Sequence, residues 1–350
     1  MVASERLLRA QQTLDRAQSV LDRLVSRSTI HGGVLGVGDA QGNVWVACSG
    51  TARVAGHAEP FRPDHRFLLT SVAKPLTAAQ VMLLVDQGLL DLDEPLVSYL
   101  PEFGAHGKGE VTMKHLLTMT GGLNDVANLI EGPAAALDPE AYVQAALGAH
   151  LSFRPGTGFA YCSPGFWVMA EAVNRLAGVR YTEHLVAAVA APLGMEETSY
   201  EQGEARPSRY VEAHTAADWD AHLPEQVRRA AYPAGGIVST ASDLVRFGQS
   251  FLLDGPLAGR LLSRPARELL FQEHASGFNL GRPCRWSLGW EFIGPGNLQG
   301  PRTIFHHGAA GTGLWVDPDR QLVVALLTAD WWLPYRVYAG VVNAILGTIR

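Results

Sequence analysis

Ser71 and Lys74, which lie three residues apart, are the side chains of this sequence best suited to chemistry. On an α-helix, positions i and i+3 share one face, so the two side chains would lie one turn apart. A serine hydroxyl is a poor nucleophile until a base takes its proton, and a desolvated lysine with a lowered pKa can be that base. The pair therefore predicts nucleophilic catalysis by Ser71. The alternative is a serine that caps a helix next to a solvated lysine.

Pro75 is compatible with a helix that begins at Thr70 or Ser71. A proline inside a helix removes the hydrogen bond to the carbonyl four residues back, which here belongs to Ser71. In the first turn that loss is harmless, because the first four N–H groups of a helix have no intrahelical acceptor. Ser71 is then expected at a helix N-terminus, where the positive end of the helix dipole favours developing negative charge.

A nucleophile and its base need a second proton carrier and two N–H donors for the oxyanion, and two later segments offer such groups. Tyr161 follows a loop rich in glycine and proline and precedes a predicted helix, so it can face the helix of Ser71. Residues 305–311, Phe-His-His-Gly-Ala-Ala-Gly, form a strand-like run interrupted by glycine. Considered singly, Tyr161 also fits a packed aromatic side chain, and the histidine pair also fits a structural role.

The overall composition is that of an ordinary globular protein, since 47% of its 350 residues are hydrophobic and 18% are charged. A net charge of −6 argues against non-specific binding to nucleic acid or anionic membranes, and no apolar run has membrane-spanning length. Cys48, Cys162 and Cys284 are too widely spaced for a disulfide framework or a metal site, and no cofactor is predicted. Residues 1–27 resemble an amphipathic helix more than a secretory signal, which predicts a cytoplasmic protein. An exported protein already trimmed of its signal would look the same.

Hydrophobic periodicity predicts strands and a helix near both ends of the chain, with a mostly helical stretch between them. The predicted helices span residues 7–25, 76–90, 112–119, 133–149, 164–177, 182–191, 242–253 and 337–349. Extended structure is predicted at 33–37, 44–48, 234–240, 286–292, 314–316 and 322–327. The economical arrangement is an antiparallel sheet built from both ends of the chain, with the helical block inserted. We therefore expect two domains, one formed by residues 1–75 and 225–350 and the other by residues 76–224.

Taken together and in this order, the motifs resemble those of the serine β-lactamase/penicillin-binding-protein superfamily. The resemblance is closest to the class C β-lactamases and the related family VIII-type esterases, and it runs from about Gly33 to Ile349. Besides the motifs it includes the segments 67–100, 115–123, 234–253, 289–290 and 308–317. It implies an α+β fold in which a five-stranded antiparallel sheet, flanked by N- and C-terminal helices, carries an inserted and mostly helical domain. The active site would lie between the two.

The resemblance also implies roles for individual residues. Ser71 would be the acylated nucleophile, with Lys74 and Tyr161 sharing the duties of general base and general acid. The backbone N–H groups of Ser71 and Ala309 would form the oxyanion hole. The partner would be a small ester, lactam or amide substrate. Nothing in the sequence indicates the oligomeric state.

Departures from the family's pattern bear on the choice of substrate. His306, His307 and Gly308 match a motif that is often Lys-Thr-Gly, and His306 stands where the β-lactam-hydrolysing members carry lysine. A histidine near its usual pKa of about 6.5 is mostly neutral at pH 7 and offers no fixed charge to a carboxylate. His307 replaces a small hydroxyl residue, and Ser163 replaces an asparagine that contacts the substrate and Lys74. Ser163, His306, His307 and Gly308 are therefore candidate substrate contacts.

These features favour an esterase that acts on small neutral esters. A β-lactamase or a D-amino-acid peptidase or amidase is an alternative, and so is a non-catalytic ligand-binding protein on the same scaffold. Trp331 and Trp332 lie in the segment that borders the active site of similar proteins, where they would either form an apolar wall for the substrate or pack the last helix against the sheet. No Gly-x-Ser-x-Gly elbow and no His-Glu-x-x-His motif occurs, which argues against an α/β-hydrolase and a zinc hydrolase.

Overall fold

The computed structural model describes residues 2–123, 139–203, 205–214, 223–279, 281–292, 294 and 296–348. Its helices are α1 (Val2–Ser26), α2 (Ala73–Asp86), α3 (Met113–Leu117), α4 (Pro139–Gly148), α5 (Pro164–Ala177), α6 (Tyr181–His184), α7 (Ala191–Leu193), α8 (Leu223–Arg229), α9 (Ala241–Gln249), α10 (Arg264–Leu270) and α11 (Tyr335–Leu346). A π-helical turn, Leu185–Ala190, joins α6 to α7, and 3-10 turns cover Thr70–Val72, Leu96–Ser98 and Pro101–Glu110. The first six residues of the helix predicted at 133–149 lie outside the described residues. Within the described parts of the chain, no helix combines the length and the apolar character that a membrane crossing needs.

The strands are β1 (Gly32–Asp39), β2 (Val44–Val54), β3 (His57–Pro60), β4 (Phe67–Leu68), β5 (Ser199–Tyr200), β6 (Ile237–Ser239), β7 (Ala275–Asn279), β8 (Arg282–Trp286), β9 (Glu291–Phe292), β10 (Ile304–Gly308), β11 (Thr312–Asp317) and β12 (Leu322–Thr328). Among the described residues, nine of these strands form one antiparallel sheet in the order β3-β2-β1-β12-β11-β10-β9-β8-β7. The α+β class is therefore confirmed. The expected number of five strands was wrong.

The additional strands lie at the two edges of the sheet. β3 extends one side, and β9 with the β7–β8 hairpin extends the other. β3 and β9 have only four and two residues, and β7 alternates between half-buried and exposed positions. The number five was what the family resemblance implied, and the short or half-exposed strands β3 and β7 carry no continuous apolar run that would have corrected it.

The segment 286–292, which we predicted as one strand, is interrupted between β8 and β9 by a tight turn. In this turn the Ser287 N–H donates to the carbonyl of Trp290 at 2.8 Å. Gly289 has a φ of +79°, and a Cβ at this position would overlap the Cβ of Ala78 on α2. The predicted strand is therefore interrupted at the point where α2, which lies far away in the sequence, packs closely against it.

The centre of the sheet is buried on both faces, so that alternate residues of β1 and β12 belong to different cores. Val34 and Leu327 are paired across these strands and lie in the core that includes residues of α2 and α9. Leu35 and Leu326 are the next pair, and they lie in the core that includes α1 and α11. All four side chains are fully buried, and burial of each such side chain contributes about 1.5–3 kcal/mol.

A second sheet, with the strand order β4-β6-β5, lies where the chain enters α2. β4 pairs with β6 only through Phe67 and Leu68. The N–H of Leu69 then donates to the carbonyl of Ile237 at 2.9 Å, which prolongs the contact by one residue. The chain next turns through Thr70–Val72 into the helix. This small sheet therefore fixes the start of the segment on which the predicted nucleophile lies.

Candidate active site

Ser71 lies in the 3-10 turn that precedes α2, and Lys74 lies in the first turn of α2 itself. Lys74 Nζ donates a hydrogen bond to Ser71 Oγ, with 3.2 Å between the two atoms. Lys74 is only 1% exposed, and its Nζ also donates to the carbonyl of Ala234 at 3.4 Å. The serine and the lysine therefore lie side by side as expected. The lysine is withdrawn from water, which contradicts the alternative of a solvated side chain.

Two aromatic rings lie against the amino group of Lys74. Its Nζ is 4.7 Å from the ring centroid of Tyr161 and 5.3 Å from that of Phe166 on α5. Tyr161 belongs to the loop before α5, and this loop is held in place because the N–H of Ala160 donates to the carbonyl of Met119 at 2.9 Å. Desolvation favours the neutral form of a lysine, whereas the faces of aromatic rings favour its charged form. The structure thus brings Tyr161 to the predicted base, Lys74.

His306 on β10 is buried beside Tyr161 and Trp286, with ring centroids 6.4 Å and 5.7 Å away. Its Nδ1 lies 2.9 Å from the carbonyl oxygen of His307. Because a carbonyl only accepts, Nδ1 carries the proton and Nε2 is left as an acceptor, which has no hydrogen-bond partner among the described residues. Burial is the main cause that lowers the pKa of His306 well below its usual value, and Lys74 in its protonated form lowers it further, so the ring is neutral at pH 7.

The ring of His307 lies 6.3 Å from that of His306 between centroids, but it packs against other groups. It stacks on Phe305 at 5.6 Å between centroids and contacts Tyr335 and Tyr338 of α11. Burial lowers the pKa of His307 to about 4. The ring also lines a cavity of about 120 Å³ at the end of β10. The structure therefore places the two histidines of the motif in different surroundings.

Gly308 and Ala309 lie where β10 turns into β11, next to the segment that leads to the nucleophile. A Cβ on Gly308 would overlap the hydroxyl oxygens of Thr70 and Thr312 and the carbonyl oxygen of Leu69. Only glycine permits so close an approach between the two chain segments. Its place in the motif therefore has a steric reason, and the approach brings Ala309 near the turn that contains the predicted nucleophile.

The two tryptophans after β12 are bound through their backbone to other parts of the site. The N–H of Trp332 donates to the carbonyl of Ala309 at 2.7 Å, and the N–H of Trp331 donates to that of His214 at 3.2 Å. Trp332 has a left-handed φ of +60°, is 48% exposed and lines the same cavity as His307. Trp332 therefore borders Ala309 at the surface, and a role of the two tryptophans as an apolar wall for the substrate stays a prediction.

Ser163 is the residue that precedes the first residue of α5, and its carbonyl accepts a hydrogen bond from the N–H of Phe166 at 3.0 Å. Tyr161 and Ser163 thus both belong to the chain segment that enters this helix. A role of the Ser163 side chain in substrate binding stays a prediction.

Trp286 is a part of the site that sequence reasoning missed. It is fully buried, and its ring lies edge-on to Tyr161, with 5.8 Å between centroids and 80° between the ring planes. Its Nε1 donates to the carbonyl of Leu117 at 3.1 Å. One indole therefore contacts both Tyr161 and His306. These contacts join segments that lie far apart in the chain, so that no local pattern reveals them.

Comparison with known proteins identifies the family. The family model described as Beta-lactamase matches residues 17–339. The chain is 31% identical to Penicillin-binding protein 4 of Amycolatopsis lactamdurans over 284 residues, which is 76% of this chain and 72% of that protein. It is 30% identical to Esterase EstB of Burkholderia gladioli over 316 residues, which is 77% of this chain and 78% of that protein. The chain belongs to the Beta-lactamase family, whose members are serine hydrolases.

The fold agrees with this assignment. A crystal structure of a penicillin-binding protein homologue from Caulobacter crescentus superposes with a TM-score of 0.83. The superposition covers 96% of this chain and 97% of that chain at 18% sequence identity. The resemblance that the motifs suggested is therefore confirmed at the level of the whole fold.

Proposed function

We propose that the protein is a serine hydrolase that forms an acyl-enzyme and acts on small neutral esters. The observation that carries the proposal is the 3.2 Å hydrogen bond between Lys74 Nζ and Ser71 Oγ, made by a lysine that is withdrawn from water. The similarity to Esterase EstB supports the choice of esters.

In the first half of the reaction, neutral Lys74 takes the hydroxyl proton of Ser71 while Oγ attacks the carbonyl carbon of the ester. Tyr161, whose ring lies against Lys74 Nζ, shares this proton and passes it to the departing alkoxide. The alcohol leaves, and the acyl group stays on Ser71 as an ester. In the second half, water gives its proton to the same pair and attacks that ester, which releases the acid and restores the hydroxyl.

The oxyanion that forms in each half would lie between the backbone N–H groups of Ser71 and Ala309. The close approach of the two chain segments at Gly308 supports this assignment. Fixed N–H donors that point at a developing negative charge are worth far more in a site that excludes water than in solution. Removal of one such donor typically lowers kcat by about 10²- to 10³-fold.

His306 supports a neutral substrate. The proton on its Nδ1 is bound to the carbonyl of His307, so the ring offers only the lone pair of Nε2 for a further hydrogen bond. A carboxylate has no proton to donate to such an acceptor, and it gains no charge interaction from a neutral ring. An uncharged ester needs neither a cation nor a donor at this position.

A β-lactamase or a D-amino-acid peptidase or amidase is the second candidate. It would use the same serine and the same proton transfers, and only the leaving group would differ. The 31% identity to Penicillin-binding protein 4 of Amycolatopsis lactamdurans favours it as the alternative. A non-catalytic ligand-binding protein, by contrast, would need no activated serine.

Labelling with a fluorophosphonate tests the acyl-enzyme, and a substrate panel tests the specificity. We expect the probe to add its mass to the peptide that contains Ser71, and Ser71→Ala to abolish both labelling and turnover. The panel consists of p-nitrophenyl acetate, p-nitrophenyl butyrate, nitrocefin and D-amino-acid anilides. Labelling that persists in Ser71→Ala would refute the nucleophile. Faster hydrolysis of nitrocefin or of an anilide than of the esters would select the second candidate.

A further inference from the structure

Thr70, the residue before Ser71, has an unusual backbone conformation. Its φ is +46°, in the left-handed region that β-branched residues rarely adopt. The residue is buried, with 6% of its surface exposed. A strained conformation of this kind persists only where surrounding contacts hold it, and such positions cluster at functional sites.

The hydroxyl of Thr70 makes two hydrogen bonds. It donates to the carbonyl of Leu69 at 2.8 Å and accepts from the N–H of Ala310 at 3.2 Å. Ala310 is buried, with 4% of its surface exposed, so Thr70 satisfies an amide that is withdrawn from water. The bond to Ala310 joins residues 240 positions apart in the chain.

This second bond lies next to both proposed oxyanion donors. Thr70 is bonded directly to Ser71, and Ala310 is bonded directly to Ala309. The Thr70–Ala310 hydrogen bond therefore spans the gap between the two backbone segments whose N–H groups would hold the oxyanion. A donor acts at full strength only when it lies about 2.7–3.1 Å from the position of the oxyanion. The separation of the two segments is thus a quantity on which catalysis depends.

We propose that Thr70 is a positioning residue, whose hydroxyl sets the distance between the N–H groups of Ser71 and Ala309 through its bond to Ala310. The proposal rests on the proposed function, since it takes these two amides as the oxyanion hole. Thr70 need not touch the substrate in this role. Its loss should therefore weaken the binding of the oxyanion and leave the binding of the uncharged substrate largely unchanged.

Three variants separate this role from a structural one. Thr70→Val removes the hydroxyl at nearly constant volume, and Thr70→Ser keeps it. Thr312→Val is the matched control, because the Thr312 hydroxyl donates to the same Leu69 carbonyl at 2.7 Å, whereas the Ala310 amide is bonded to Thr70. The measurements are kcat and KM for p-nitrophenyl butyrate, the thermal midpoint, and inhibition by a trifluoromethyl ketone. Ser71 Oγ adds to the carbonyl carbon of the ketone to form a hemiketal. The Ser71 proton passes to Lys74, and the ketone oxygen becomes an oxyanion.

We expect Thr70→Val to lower kcat by about 10- to 100-fold, less than the loss of a whole donor, with KM changed by less than about threefold. The inhibition constant of the ketone should rise by a similar factor. Thr70→Ser and Thr312→Val should both stay within about threefold of the wild type in kcat and in the inhibition constant. If Thr70→Val does not fold, Thr70→Ala is measured in its place with the same expectation.

Wild-type values of kcat and of the inhibition constant in Thr70→Val would overturn the proposal. Equal losses in Thr70→Val and Thr312→Val would also overturn it, because they would indicate a general structural effect. Fluorophosphonate labelling of the wild type distinguishes this failure from that of the proposed function. Absence of label at Ser71 overturns the proposed function, whereas a labelled Ser71 together with an unaffected Thr70→Val overturns only the role of Thr70.

Discussion

The indole of Trp286 meets the imidazole of His306 nearly at right angles, with 5.7 Å between the ring centroids and 87° between the ring planes. The same indole lies edge-on to Tyr161 at 5.8 Å. Because Trp286 is fully buried, it has no surface to offer a substrate and can act only through the groups that it contacts, which also include the ring of Phe159. Edge-to-face pairs of this kind add about 0.5–1.5 kcal/mol to the free energy of burial.

Trp286→Phe should loosen both rings. The variant loses the indole hydrogen bond to Leu117 and part of its packing, so we expect the free energy of unfolding to fall by about 1–3 kcal/mol. We also expect kcat for p-nitrophenyl butyrate to fall by about 3- to 10-fold, because Tyr161 and His306 are less well positioned. Urea unfolding and steady-state kinetics measure the two effects.

Trp290→Phe is the control for that experiment. Trp290 is equally buried but packs against Phe247 and Phe251. The Trp290→Phe variant should lose stability to a similar extent and keep the wild-type kcat. Equal kcat values in the two variants would refute the positioning role of Trp286.

Replacement of Lys74 tests whether the residue titrates or only supplies a charge. Arginine keeps the positive charge but does not lose its proton in a protein, so Lys74→Arg cannot act as a base. We expect kcat of Lys74→Arg to be at least about 10³-fold below the wild type and close to that of Lys74→Ala. Lys114→Arg is the control, since Lys114 is partly exposed and pairs with Asp93 at 3.1 Å. Substantial activity of Lys74→Arg would show that the residue is merely a cation.

A lysine at position 306 should change the preference between neutral and anionic substrates. His306→Lys adds a cation and hydrogen-bond donors where the wild type has a neutral acceptor, so the ratio of kcat/KM for nitrocefin to that for p-nitrophenyl butyrate should rise. One gained charge contact is worth at most about 3 kcal/mol, which corresponds to a rise of about 10²-fold. His306→Gln adds no charge and should leave the ratio near the wild-type value. A wild type that already prefers penicillins to the neutral esters would contradict the prediction.

His307 should make the protein less stable in acid. Its pKa is about 4 in the folded state, whereas an unfolded histidine titrates near 6.5, so the unfolded chain binds a proton first as the pH falls. The stabilisation by neutral His307 is therefore complete above about pH 6.5 and is lost progressively as the pH falls to about 4. The difference between these two pKa values corresponds to about 3 kcal/mol in the free energy of unfolding. We expect His307→Phe, which keeps the stacking on Phe305, to show a correspondingly smaller loss between these pH values.

Urea unfolding at a series of pH values measures this effect in both proteins. The other histidines are common to both, so the difference between the two curves isolates His307. Parallel curves over this range would show that His307 does not titrate as its burial implies.

The local part of the site could be predicted from the sequence, because it depends on helical spacing. Ser71 and Lys74 are separated by one helical turn, and the backbone geometry alone brings them together. The different surroundings of His306 and His307 could also have been predicted, since side chains alternate along a strand. Our prediction treated the histidines as one motif and did not apply that rule.

The remaining features depend on contacts between distant segments. The Thr70–Ala310 hydrogen bond and the position of Trp286 arise only when the sheet has assembled around α2. The number of strands was wrong because it came from the family resemblance, which did not include the edge strands. β3 and β7 are held by pairing with their neighbours, and their own sequences have no hydrophobic pattern that would identify them.

The pairing of β1 with β12 has a consequence for biosynthesis. Gly33 on β1 pairs with Thr328 on β12, so a strand made early lies beside one made about 295 residues later. At about 5–20 residues per second, a ribosome needs about 15–60 s to supply the second strand. During that time β1 can pair with β2 but has one open, apolar edge, which is a site for aggregation. Folding of the sheet is therefore completed only after most of the chain has left the ribosome, and nascent chains stalled before β12 should depend on a chaperone.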